Sequence, residues 1–269
     1  MFIYSTGGDK VKVEYIVNNK GELYSFKTSE EEEVVEEFKI PSTVGGVKIE
    51  SIGNLKDTFR NLYAHGVKQI KKLIIENGIK KMAEFAFADI VIEIDTVYWP
   101  KSCTVIPLFS FSRSNIKSIV GVENVEKIEL AAFQETLLKY FNWPERCKVV
   151  SSHCFYKCHA LEQLVGLEEV ADIGIAAFNE TELKTFCWPA SVSATETCLF
   201  LLNCEHLEEI NFGGVGIKDV DLACLSYLKD VKKIDLSGCG AVNLLNCSSE
   251  EGCKVRDKVV LPYYVTEVS

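Results

Sequence analysis

"FNETELKTFCWP", residues 178–189, sets the register of the whole chain. Phe178 leads to Leu183, Phe186 and Trp188, so apolar residues fall in the order L-x-x-φ-x-φ, where φ is apolar. The closing φ-x-φ alternates with period two and reads as a short strand with one buried face. Phe133 opens the same phrase through Leu138, Phe141 and Trp143. Similar triplets follow the neighbouring phenylalanines: Ile116, Ile119 and Val122 after Phe111; Leu161, Leu164 and Leu167 after Phe155; Leu207, Ile210 and Phe212 after Phe200. Phe59, Phe87, Phe111, Phe133, Phe155, Phe178 and Phe200 follow one another at gaps of 28, 24, 22, 22, 23 and 22 residues.

A unit that short, holding one short strand, cannot bury its own apolar face, whereas stacked units can. The strands then pair in parallel about 4.8 Å apart. The fold class that follows is a leucine-rich-repeat solenoid of the α/β horseshoe class: short parallel strands, loops and short helical turns. Residues 1–37 read as a β-rich N-terminal cap with an acidic connector, and "FIYSTGGDKVKVEYIVN" as a hairpin around Gly-Gly-Asp. Residues 38–269 read as the solenoid, with about nine or ten units, degenerate after 215. There "VKKIDLSGC" keeps strand spacing at Val231, Ile234 and Leu236, and a new unit opens at Pro262. Near "RNLYAHG" one unit carries extra residues.

Trp99, Trp143 and Trp188 take the last inward position of alternate strands, 44 and 45 residues apart. The units between place Val122, Leu167 and Phe212 there, which implies a two-unit superperiod. Pro100, Pro144 and Pro189 follow the tryptophans, and proline ends a strand because it lacks an N–H and fixes φ. Three residues past each proline, and past Pro41 and Pro262, stand Val44, Cys103, Cys147, Val192 and Val265. Cysteine and valine share this slot as small buried apolar groups.

The phrases "IPSTVGGVKIESIG", "MAEFAF", "FYKCHALEQL" and "FNETELKTFCWP" resemble the BspA-like, or Treponema pallidum-type, leucine-rich repeats. The resemblance runs from about residue 38 to the end and is clearest over 73–212. It implies a binding or adhesion role at a cell surface, like that of surface proteins of anaerobic bacteria and mucosal protists, with no cofactor.

Bulk properties agree with a recognition module. The net charge of −10 comes with no basic stripe, which argues against nucleic acid. No apolar run reaches the roughly 18 residues of a membrane span. The start, "MFIYSTGGDKVKVEY", lacks the pattern of a secretory signal, so a cytoplasmic location follows if the chain as given is complete. The resemblance instead implies a secreted or surface location.

"HCFYKCH" gathers His153, Cys154, Cys158 and His159, residue types that ligate zinc. Against a zinc-dependent enzyme, Cys158 stands three residues after Phe155, where Thr136 and Thr181 stand in neighbouring units, with Cys204 near the same slot. Cys154 beside His153 is no catalytic pair, since strand neighbours face opposite ways. The sequence has no Gly-x-Ser-x-Gly and no phosphate loop, so no catalytic residue is assigned. Most of the eleven cysteines are expected as free buried thiols, with Cys239, Cys247 and Cys253 the best candidates for a bridge.

A contact strip is expected on the outward strand positions: Lys139, Tyr140, Asn142, Gln163, Lys184, Thr185, Glu208 and Asn211. Lysine and glutamate rungs alternate along it, with Tyr140 as the hot-spot candidate. The partner would be a protein or a surface glycan. An intracellular scaffold with reduced thiols is the competing reading.

Overall fold

The computed structural model describes residues 2–5, 13–28, 33–192, 199–212, 217–228, 230–262 and 264–268. The chain divides into two compact units, Met1–Leu138 and Lys139–Ser269. Each is a stack of parallel β-coils with little helix.

In the first unit, strands Phe2–Ser5, Val13–Val17 and Glu22–Thr28 form antiparallel hairpins, and Glu22–Thr28 then pairs in parallel with Ser51–Ile52. Val34–Ile40 already pairs along its length with Gln69–Ile75, so the parallel ladder starts inside the range read as cap and connector. Glu93–Tyr98 and Ile119–Val120 continue it. The extra residues near "RNLYAHG" form helix Lys56–Ala64. It buries Phe59 against Phe26, Phe38 and Phe87, at ring-centroid distances of 5.3, 6.4 and 6.1 Å.

In the second unit one face carries Tyr140–Asn142 paired with Gln163–Val165, and Thr185–Trp188 paired with Glu209–Phe212, then Lys233–Asp235 and Val259–Val260. Every pairing on this face is parallel.

The coils are richer than one strand per unit. A second ladder pairs Val149–Val150 with Asp172–Ile173 in the second unit, as Val105–Ile106 pairs with Lys127–Ile128 in the first. A third side is a ladder of turns. In it the N–H groups of His153, Phe155 and Lys157 donate to the carbonyls of Ile175, Ala177 and Asn179 one coil on, at 3.0, 2.7 and 2.9 Å. The turns place non-glycine residues at positive φ on both sides of the central Phe, such as Ala131 and Glu135 around Phe133, and Ala176 and Glu180 around Phe178. Inside, the phenylalanines stack. Phe87, Phe111 and Phe133 lie 5.2 and 5.6 Å apart with interplanar angles of 8° and 5°. Phe155 and Phe178 lie 5.9 Å apart at 15°.

One repeat marker shifts. Phe178 N–H donates to Phe200 O, whereas Phe155 N–H donates to Ala177 O, so Leu201 and not Phe200 takes the phenylalanine slot. Cys204 then lies in the slot of Thr181 and not merely near it. Its thiol donates to Phe178 O at 3.2 Å, and Thr181 Oγ1 donates to the same carbonyl at 2.9 Å.

The three tryptophans are buried, as their register requires. Each indole N–H donates to the carbonyl four residues on: Trp99 to Cys103 at 2.9 Å, Trp143 to Cys147 at 2.7 Å, Trp188 to Val192 at 3.0 Å. The N–H of each of those residues donates to the proline carbonyl, at 3.1, 2.9 and 3.1 Å. Trp-Pro-x-x-Cys/Val is therefore a closed clamp, with sulfur or isopropyl as filler.

Two of the intervening units depart from the φ-x-φ spacing, while Ile210 and Phe212 keep it. In those two units a glycine follows the strand, so Val122 and Leu167 sit one residue further along than the spacing predicts. Gly121 (φ 86°) and Gly166 (φ 86°) lie over the carbonyls of Trp99 and Trp143, where an added Cβ would meet oxygen at 2.6 and 2.7 Å. Each of these two tryptophan coils is thus followed by a glycine coil.

Gly166→Ala is expected to cost about 2 kcal/mol or more, since both the conformation and the space are denied to a side chain. Gly46→Ala, at φ 83° but with nothing within 4 Å, pays the conformational strain alone. Urea unfolding of both variants measures the difference. Trp143→Phe should cost about 1–3 kcal/mol by leaving the Cys147 carbonyl without its donor, while Cys147→Val should cost less than about 1.5 kcal/mol.

Candidate functional site

The second unit's ladder brings the strip residues together. Tyr140 pairs with Gln163, Asn142 with Val165, Thr185 with Glu209 and Cys187 with Asn211. Their neighbours Phe141, Leu164, Phe186 and Ile210 point inward and are buried, so alternation sends the strip outward. Lys139, Tyr140, Asn142, Gln163, Lys184, Thr185 and Glu208 are exposed, and Asn211 is half-buried. Tyr140 is 49% exposed, and Val165, opposite Asn142, is 44% exposed.

A column of charge runs just ahead of the strands. Lys184 pairs with Glu162 at 3.2 Å, Lys232 with Glu208 at 2.5 Å, and Lys233 with both Glu209 at 2.6 Å and Asp235 at 2.9 Å. The Lys232 hydrogen bond and charge lower the pKa of Glu208. Hydrogen bonds to Glu209 and Asp235 raise that of Lys233. Hydrogen bonds from the Ser237 hydroxyl, Lys233 and the Ser237 N–H hold Asp235 at about 2. Such surface pairs contribute at most about 1 kcal/mol each, so they tune the strip more than they hold the coils.

The first unit repeats the theme. Lys71 pairs with Glu36 at 2.6 Å, and Lys117 with Glu93 at 2.8 Å and Asp95 at 3.1 Å. Beside these pairs Ile74, Tyr98 and Val120 share one outward column. Tyr98 is 37% exposed and was missed by sequence reading, although its place directly before Trp99 marks it as outward.

The zinc arrangement does not assemble. Cys154 and Cys158 are buried, whereas His159 is exposed and His153 packs edge-on to Tyr156. His153 also lies in a turn at φ 57°, not on a strand. Among the described residues no three His, Cys, Asp or Glu side chains gather to hold a metal. Burial pushes the Cys154 thiol well above its ordinary pKa, helped by Cys158 and Cys147 nearby, the reverse of what a nucleophile needs.

Cys103, Cys154, Cys187 and Cys204 are free thiols. The Cys239 and Cys247 thiols donate to the carbonyls of Phe212 and Leu244, at 3.5 and 3.3 Å, instead of bridging to each other. The Cys253 side chain lies outside the described residues. Among the described residues no helix is long and apolar enough to cross a membrane.

The family model described as "BspA type Leucine rich repeat region" matches residues 30–162 and 148–268, in six copies. The chain belongs to the BspA-type leucine-rich repeat family. The chain is also similar to leucine-rich repeat proteins of solved structure. A leucine rich cell surface protein from Faecalibacterium prausnitzii A2-165 is 14% identical, with 100% of this chain and 95% of that one covered and a TM-score of 0.47. A leucine-rich repeat protein from Bacteroides ovatus ATCC 8483 is 16% identical, with 98% and 90% covered and a TM-score of 0.43. The leucine rich repeat protein of T. pallidum is 13% identical, with 89% and 86% covered and a TM-score of 0.35. No curated protein matches the chain.

Asp235 has a depressed folded pKa, so its stabilisation is complete above the ordinary value of 3.8 and is lost as pH falls through about 2. NMR titration should give a midpoint near 2 for Asp235, moved upward by Ser237→Ala. Cys187, the exposed thiol on the strip, should react with a thiol reagent in the folded protein, while Cys103 and Cys154 react only on unfolding. Burial, with Glu168 and Glu209 nearby, raises the Cys187 pKa and slows that reaction, and Cys187→Ser removes the group that reacts without unfolding.

Proposed function

We propose that the chain is a recognition module that binds a protein partner through the outward strip of its second unit and performs no chemistry of its own. The observation that supports this reading most is the strip itself. Lys139, Tyr140, Asn142, Gln163, Lys184, Thr185, Glu208 and Asn211 lie on or directly ahead of the outward faces of two parallel strand pairs, over a core whose phenylalanines and tryptophans are buried. A rigid sheet holds side chains at fixed spacing, so little order has to be gained when a partner docks. Tyr140 supplies a large amphipathic contact at low entropic cost, the property that makes tyrosine common at hot spots. The buried thiols, with Cys154 raised in pKa, fit packing and not catalysis.

The test is an array of purified surface and secreted proteins probed with the labelled chain and with a Tyr140→Ala, Gln163→Ala, Asn211→Ala variant. Spots held by the wild type are expected to weaken by about tenfold or more in the variant, which corresponds to the loss of one hot spot. Equal binding by both proteins removes this face from the account.

A further inference from the structure

The strip's polar groups fall into two sets. The first is satisfied within the molecule: Glu162 with Lys184, Glu208 with Lys232, and Glu209 and Asp235 with Lys233. The second is not. Among the described residues the side chains of Lys139, Tyr140, Asn142, Gln163, Thr185 and Asn211 have no hydrogen-bond or ion-pair partner. All six lie on the four successive rungs Tyr140–Asn142, Gln163–Val165, Thr185–Trp188 and Glu209–Phe212 or directly ahead of them.

The second set has a definite chemistry. Asn142, Gln163 and Asn211 each present a carbonyl and an NH₂, the complement of a peptide group, which offers one N–H and one C=O. The backbones of Tyr140–Asn142 and Gln163–Val165 are bonded to each other, as are those of Thr185–Trp188 and Glu209–Phe212, so along these two pairs a partner meets side chains.

Charge is sorted as well. On the rungs named here four lysines (139, 184, 232, 233) stand against four carboxylates (162, 208, 209, 235), on a chain of net charge −10. The balance is uneven along its length. The unpaired cation, Lys139, is at the Tyr140 rung, while at the Lys233–Asp235 rung one lysine faces two carboxylates.

Resting on the strip as contact face, we propose that its ligand is an extended polypeptide segment. The side-chain amides of Asn142, Gln163 and Asn211 hold the segment's backbone, and an acidic residue of the segment sits at Lys139 beside Tyr140. The amides read main chain and are therefore tolerant of sequence. Lys139 reads one charge and fixes direction, because among the described residues it is the strip lysine with no carboxylate partner of its own, whereas Lys184, Lys232 and Lys233 are each paired.

Selection of random linear peptides on the full chain tests this. Enriched peptides are expected to share one acidic residue at a fixed place. Lys139→Ala should weaken them by about fivefold at most, as for a solvent-exposed pair. Lys139→Glu should shift enrichment to lysine or arginine at that place. Asn142→Ala and Asn211→Ala should weaken every enriched peptide by about three- to tenfold without changing the preferred residue. Thermal unfolding of each variant controls for loss of the fold.

Enrichment without an acidic position, or no enrichment at all, overturns the proposal. Soluble neutral polysaccharides held by the wild type and lost by the Tyr140→Ala, Gln163→Ala, Asn211→Ala variant overturn the peptide ligand while leaving the strip as the contact face. Peptides bound equally by wild type and all variants overturn both.

Discussion

Backbone hydrogen bonding from coil to coil is the constraint under which every other feature operates. A coil of two dozen residues buries almost nothing by itself; it becomes a folded object only when its three sides are bonded to the next. The two β-ladders supply two sides, and the turn ladder supplies the third. Once three sides are fixed, each side-chain position repeats at the spacing of the rungs, and identical slots must stack on identical slots. Near-parallel phenylalanines follow from this, as do the small hydrogen-bonding residues Thr136, Thr181 and Cys204 at one repeated turn position. The price is backbone strain. Residues such as Ala131, Glu135, Lys157 and Glu180 are held in the left-handed region, which is unfavourable by about 1–2 kcal/mol for a residue with a Cβ.

The clamp of tryptophan, proline and a small residue shows how the core closes without stray polar groups. An indole buried in an apolar stack needs an acceptor, and the carbonyl four residues on provides it. Proline ends the strand and leaves its own carbonyl free to receive the N–H of the cysteine or valine. Four polar groups are thus satisfied within five residues, and the fifth side chain is a small filler, valine or a cysteine whose thiol donates to the carbonyl two residues on. The outer face follows a different rule. There charges are matched between neighbouring rungs, and what is left unmatched is concentrated around Tyr140.

Much of this was legible in the residues. The phenylalanine period, the inward tryptophans and the outward strip depend on strict alternation and on a period that the chain repeats, and both survive in the sequence. What was not legible has physical reasons. The second strand of the central coils, such as Lys127–Ile128 and Val149–Val150, is two residues long, too short for alternation to show. The shift from Phe200 to Leu201 is invisible because both side chains are apolar and only hydrogen-bond partners tell them apart. The left-handed turns carry alanine, glutamate and lysine where glycine would have announced them. Gly121 and Gly166 were in view, but their reason lies in a tryptophan carbonyl of the preceding coil, some two dozen residues away. On the strip, sequence named the residues yet gave no means of knowing which charges neutralise each other.

The partnership of a tryptophan coil with a glycine coil bears on how such an array changes length. Deleting or duplicating a single coil would set two bulky coils, or two bulged ones, side by side, and the carbonyl over which Gly166 lies would face a residue that cannot yield. Removing or copying a pair, the 44 or 45 residues between successive tryptophans, restores the same junction on both sides. At the two junctions that carry such a glycine, gene rearrangements should therefore survive in even steps, whereas the Trp188 coil, whose indole already stacks on Phe212 at 4.9 Å, accepts a bulky neighbour without one.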